Sequence, residues 1–209
     1  MKLKTLAALC KREGAFCLYD RVNEDGEVKE QWLGTAAAAF PLSGIPRLTE
    51  ENLCTLFDIT EKQRNSIFFR HHQLPVSLNF DDTDEGEEML ERGSLTMNYH
   101  GRTIRPLFTS SGLEFIDTDH LEPLADVSDT LEIFERRTAD GGIYFAAKTG
   151  LLLVGVIMHL NIIEDGFVEH LEMLARQCRT SLNRDKARAA EREKKLAENV
   201  AAQTEIKGQ

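Results

Sequence analysis

The chain has 209 residues, 42% of them hydrophobic and 29% charged, with a formal net charge of −10. These values suit one large domain or two small ones with a true core, and they exclude a globally disordered chain. The negative balance excludes attraction of the whole surface to nucleic acid or an anionic membrane, although one basic face remains compatible with it.

The N-terminus reads as a helix, with Leu3, Leu6, Ala7 and Cys10 on one face and Gly14 as its stop. A hairpin follows, in which "AFCLYDRV" and "EVKEQWLG" flank Asn23–Gly26, and Asp25-Gly26 is a strong turn signal. "TAAAAFPL" stays open between two readings. Its alanines favour a helix, whereas Thr35 and Phe40-Pro41 favour a third strand. Beyond Pro46, Thr49 caps a helix predicted to turn Leu53, Leu56 and Phe57 inward. Thr60 and Gln63 then form a capping box for a second helix running towards Phe69, and Pro75 closes the helical insert.

Asp81 to Glu91 holds seven acids and no base. As a calcium loop starting at Asp81 it would have Gly86 correctly at position 6, but Thr83 at position 3 and Arg92 where a bidentate Glu is needed. It therefore reads as a solvated acidic turn. "SLTMNY" and "RTIRPLFT" form a hairpin on His100-Gly101. "LEFID" is a short strand, and "TDHLEPLADV" is a capped helical turn or two with Pro123 near its start. "LEIFERRT" is a strand ending at the turn Asp140–Gly142.

The most apolar stretch is "IYFAAKTGLLLVGVIMHLNI", Ile143 to Ile162. Its uninterrupted apolar run is only Leu151 to Met158, between Lys148 and His159, whereas a spanning helix needs about 20 such residues. "AKTG" lacks the glycines of a phosphate-binding loop, and no S-x-x-K occurs to supply the nucleophile that K-T-G accompanies in serine β-lactamases. What remains is a hairpin, Ile143–Ala147 and Leu151 to about Ile162, turning at Lys148-Thr149-Gly150 and covered on both faces, with Val154 and Val156 buried. Gly155 marks a bulge or a close approach by another backbone.

Asp165 then caps a helix with Phe167, Val168, Leu171, Leu174, Ala175, Cys178 and Leu182 on one stripe. Beyond Asn183 the sequence is helix-prone but has little apolar stripe, and it reads as a mobile basic tail, residues 183–209. The cysteines Cys10, Cys17, Cys54 and Cys178 form no C-x-x-C pair and have apolar neighbours, which predicts buried free thiols in a reducing cytoplasm and no zinc site. His71, His72, His159 and His170 have no carboxylate or thiol at metal spacing, so no metal or other cofactor is expected. Trp32 and Phe40 read as core residues.

The series from Leu113 to Ile162, β-α-β-β-β, with the words "LEFIDTDHLEPLADV" and "LLLVGVIMHLNI", resembles half of one domain of the bacterial DNA sliding clamps (processivity factors). In that family each domain is two such units related by an approximate two-fold. "QWLGTAAAAFPL" before "TEENLCTLFDI" echoes "IYFAAKTGLLLVGVIMHL" before "EDGFVEHLEML", which points to two halves, about 1–75 and 94–182, in a single α+β domain, residues 1–182. The resemblance implies an antiparallel clamp-like sheet with packed helices and a non-enzymatic protein binding DNA or a DNA-processing protein. His159 stands where the clamps have proline, and a long helix follows where a clamp ends.

Two segments carry candidate DNA contacts. From Arg176 to Lys195 eight Lys or Arg stand against three Asp or Glu, a balance of +5. Arg176, Arg179, Arg184, Lys186, Arg188, Arg192, Lys194 and Lys195 are candidates for following a phosphate backbone without reading sequence. The alternative is a helix-turn-helix over 49–70, where Lys62, Arg64 and Asn65 would reach phosphates and base edges. A protein–protein adaptor using the tail or the acidic loop is the third reading. No membrane contact is expected, and a homo-oligomer is compatible with all three.

Overall fold

The computed structural model describes residues 2–91 and 93–207, with side chains to residue 197. The protein is α+β, and it divides into two compact units, Met1–Asn161 and Ile162–Gln209. Among its described residues the first unit contains helices α1 (Leu3–Glu13), α2 (Glu50–Leu56) and α3 (Glu61–Arg64), a 3-10 helix (Thr118–Val127), and eleven strands. The second is dominated by one helix, α4 (Asp165–Lys207), 43 residues long. Among the described residues no helix is long and apolar enough to cross a membrane.

α1 ends where the sequence predicts, with Gly14 left-handed at φ 67° and its N–H returning to Cys10 and Lys11 carbonyls. Strands β1 (Ala15–Val22) and β2 (Val28–Gly34) form the expected hairpin. The alanine run resolves as a strand, β3 (Ala38–Pro41). It is reached by a tight turn in which Thr35 N–H donates to the Ala38 carbonyl at 2.8 Å. After β4 (Phe68–Gln73) and the two-residue β5 (Glu88–Met89) come β6 (Met97–Tyr99), β7 (Arg102–Thr109) and β8 (Gly112–Asp117), which make a separate three-stranded sheet. β9 (Leu131–Arg137), β10 (Ile143–Thr149) and β11 (Leu152–Met158) return to the main sheet.

The main sheet runs β4-β1-β2-β3-β11-β10-β9-β5. Its middle is the β3–β11 pair, where Ala38 faces Ile157 and Ala39 faces Val156. On each side of that seam three consecutive strands follow a helix: α1, β1, β2, β3 in one direction, and the 3-10 helix, β9, β10, β11 in the other. The two helices meet, with Lys2 N–H donating to the Pro123 carbonyl at 2.9 Å.

Side chains alternate across the pleat and are buried on both sides. Leu18, Leu33, Phe145 and Ile157 join Leu6, Leu9 and Leu124 in one cluster. Trp32, Tyr144, Ala146 and Val156 join Phe80 in the other. β10 is therefore buried on both faces, as a continuous apolar run requires. β11 departs from the sequence reading. It ends at Met158, Leu152 is exposed and Val154 only half-buried. The bulge expected beside Gly155 is present opposite Ala147/Lys148, and the close neighbour of Gly155 is the Phe40 ring.

Further corrections concern the insert and the thiols. Leu56 points to solvent, while Leu53 and Phe57 are buried. The second helix does not reach Phe69. Its Thr60–Gln63 capping box forms, but the helix ends after one turn, and Phe68–Gln73 runs as a strand parallel to β1. Asn65, Ser66 and Ile67 are weak helix formers, and the open edge of β1 satisfies the backbone that follows. Cys10 and Cys17 are buried free thiols as expected, but Cys178 is exposed and Cys54 half-buried.

Within the second unit, Val168, Leu174 and Leu182 are all exposed, and α4 runs without interruption through residue 183. Because side chains 183–197 are exposed throughout, truncation after Asn183 should leave the melting temperature nearly unchanged. A loss of many degrees in a thermal melt would show that this part of α4 is packed in an oligomer.

Candidate functional site

The eight basic candidates, Arg176, Arg179, Arg184, Lys186, Arg188, Arg192, Lys194 and Lys195, all lie on α4 and are exposed. At about 100° per residue they fall into two groups, with Arg176, Arg179, Lys186 and Lys194 on one side and the other four on the opposite side. Arg176 pairs with Glu172 at 3.0 Å and Lys195 with Glu191 at 3.1 Å, each one helical turn away. Such exposed pairs are worth a few tenths of a kcal/mol, ~0.3–0.5, so a phosphate can displace them.

Lys62, Arg64 and Asn65 are also exposed. Asp58, at φ 50°, takes the left-handed turn position between α2 and α3 that a glycine more often fills. However, α3 is four residues long and Arg64 is bound to Glu50 at 2.7 Å. A single turn does not supply the length that a recognition helix lays in a major groove.

Five of the seven acids of residues 81–91, Asp81, Asp82, Glu85, Glu88 and Glu91, are exposed as a solvated turn requires, but the segment is also tied to the sheet. Asp81 holds Arg21 at 2.8 Å, and Asp82 accepts the Leu153 N–H at 2.8 Å. Glu87 reaches two buried cations, Arg136 at 2.6 Å and Lys148 at 2.5 Å. Arg136 also donates to the carbonyls of Asn79 and Asp81, and the Lys148 ammonium lies 4.8 Å from the centre of the Phe134 ring. The acidic segment is thus a cover held on the sheet by charge.

Of His71, His72, His159 and His170, two do find carboxylates from far along the chain, His71 and His159, with His159 Nδ1 lying 3.3 Å from Glu114. His71 Nε2 is 2.9 Å from Asp20 Oδ2, where Gln31 and Arg47 also converge. Burial works to raise the pKa of Asp20, but the Gln31 and His71 hydrogen bonds and the Arg47 charge outweigh it and hold the group below its ordinary value. Because Gln31 also bonds Leu48 N–H and carbonyl, this group ties β1, β2, β4 and the segment before α2 together.

A second cluster has a different character. Glu13 ends α1, Asp117 ends β8, and His120 lies in the first turn of the 3-10 helix. One donor atom from each lies within 4.8 Å of the others. Asp117 and His120 are 1% and 2% exposed. Asp117 Oδ1 accepts the Asp119 N–H, and its Oδ2 is 3.1 Å from Arg102, which also approaches Glu13 at 3.6 Å. Neither ring nitrogen of His120 has a hydrogen-bond partner among the described residues. Burial lowers the pKa of His120, against the pull of Asp117 and Glu13, and so favours the neutral ring. Sequence reasoning missed this group. The spacing Asp117-x-x-His120 was its only local signal, because Glu13 comes from the opposite end of the first unit.

No family model, no curated protein and no solved structure matches the chain.

Proposed function

We propose that the protein is a non-enzymatic binding protein with a DNA-clamp-like fold, and that α4 engages the phosphate backbone of DNA without reading sequence. The observation that carries this reading is the sorting of charge. Residues 162–209 contain nine Lys or Arg and nine Asp or Glu, so the whole net charge of −10 belongs to residues 1–161. Within α4 three of the eight acids lie in the first turns, three within Arg176–Lys195 and two beyond it, leaving +5 over Arg176–Lys195 on an exposed helix. Two helix-plus-three-strand series meeting at the β3–β11 seam support the clamp-like part, although β8, the first strand of the β-α-β-β-β series, lies in the separate three-stranded sheet.

Affinity is expected to be weak, indifferent to sequence and steep in salt. Neutralising Arg184, Lys186 and Arg188 together should flatten the logarithmic salt slope by roughly 0.9 for each duplex phosphate no longer neutralised. Fluorescence anisotropy with unrelated duplexes over a salt series measures both quantities. An unchanged slope, or no binding at low salt, overturns the DNA reading.

A second reading rests on the apolar residues of the same helix. Leu174, Leu182 and Leu196 are more than half exposed, at 51%, 54% and 66%. A helix carrying them suits the groove of a protein partner, such as a DNA-processing protein. Absence of DNA binding at low salt would favour this adaptor role.

A further inference from the structure

We propose that Glu13, Asp117 and His120 form a binding site for a first-row divalent transition-metal ion of the zinc class, gated by Arg102. The buried imidazole makes the case. A histidine 2% exposed with both ring nitrogens unpartnered is costly unless something accepts or donates there. Two carboxylates, Glu13 and Asp117, lie within 4.8 Å of it and together with it make a one-nitrogen, two-oxygen donor set. That set suits zinc, cobalt or nickel better than magnesium or calcium, which prefer oxygen alone.

The distances are compatible with closure on an ion. Three donors at the outer spacing of 4.8 Å place their centre roughly 2.8 Å from each, so bonds of about 2.0–2.2 Å require each ligand to move roughly 0.7 Å. The surroundings supply outer support, since Asp117 Oδ1 is already held by the Asp119 N–H. Arg102 is the occupant that an ion would displace. Its guanidinium bonds Asp117 and approaches Glu13, and its side chain is 43% exposed, so it can swing to solvent.

The site joins α1 of the first half-sheet series to the 3-10 helix of the second. A bound ion would therefore cross-link two segments more than 100 residues apart, Glu13 and Asp117–His120. Metal binding at these residues is independent of whether α4 binds DNA.

Calorimetric titration of the full chain with Zn²⁺, using Mg²⁺ as the control, tests the proposal. Co²⁺ spectra report the donor atoms. One equivalent of Zn²⁺ should bind and raise the melting temperature, with Co²⁺ showing nitrogen and oxygen ligation. His120→Ala and Glu13→Gln should each weaken binding by about tenfold or more. Arg102→Gln should tighten it several-fold, an effect that a purely structural Arg102–carboxylate bridge would not produce. Glu13 lies at the partly exposed rim, so Glu13→Gln remains informative if His120→Ala fails to fold. Absence of stoichiometric binding, equal binding of Mg²⁺, thiolate bands in the Co²⁺ spectrum, or affinity unchanged in Glu13→Gln would each overturn the site.

Discussion

Glu87→Ala is expected to destabilise the protein by about 3–5 kcal/mol, the cost of leaving a buried charge without its partner. Two cations depend on this one carboxylate. The Arg136 side chain is fully buried, that of Lys148 is 4% exposed, and Glu87 itself only 14%. The Asn79 and Asp81 carbonyls and the Phe134 ring supply partial negative charge, and the Asp84 carboxylate acts on Arg136 without an ion-pair contact, so Glu87 carries the direct charge pairing of both cations. Glu87→Gln preserves shape while removing the charge, so it should recover only a small part of the loss. Urea denaturation with unchanged slope measures both variants. A change under about 1 kcal/mol would show that water reaches the two cations and that the charge tie is superficial.

Gly34→Ala should cost about 3 kcal/mol or more, by a different mechanism. A β-carbon at this position would stand 1.8 Å from the Ala38 carbonyl oxygen and 2.8 Å from the Ala39 α-carbon. The obstacle is backbone, which cannot rotate away as a side chain does. Relief requires opening the turn whose Thr35 N–H and hydroxyl hold Ala37 and Ala38. That turn sets the register of β3, and β3 joins the two halves of the sheet. The destabilisation therefore exceeds ordinary overpacking. Gly14→Ala, at a left-handed position with open space around it, should be milder, and the comparison separates a clash from a backbone preference. Equal destabilisation by the two variants would contradict this account.

Legibility in the sequence followed the range of the determining interaction. Gly14, Asp25-Gly26, His100-Gly101 and Gly150 mark turns through their own backbone preferences, and the helix and hairpins beside them were predictable residue by residue. β4 was not. Its run "FFRHHQ" follows a genuine capping box, and only pairing with β1, some fifty residues earlier, makes it a strand. The exposed acids of residues 81–91 were legible, but the tie through Glu87 was not, for the same reason. Nothing near Glu87 announces that Arg136 and Lys148 will be buried opposite it. Of the candidate metal site, one pair of ligands was local and the third distant, so no spacing rule applied.

The β3–β11 seam also governs the order in which the chain can assemble. At roughly 5–20 residues per second of synthesis, β3 is complete roughly 6–23 s before β11 has been made. During that interval the first three strands can pair among themselves, but β3 waits as a free edge. Its brevity protects it. Four residues ending in Pro41, with Ala38 and Ala39 paired across the seam and the Ala37 carbonyl accepting the Met158 N–H, offer another chain little to copy. The same economy makes the final closure a long-range event with few backbone bonds to reward it, so helix contact across the seam, Lys2 against Pro123, must share the work of bringing the halves together.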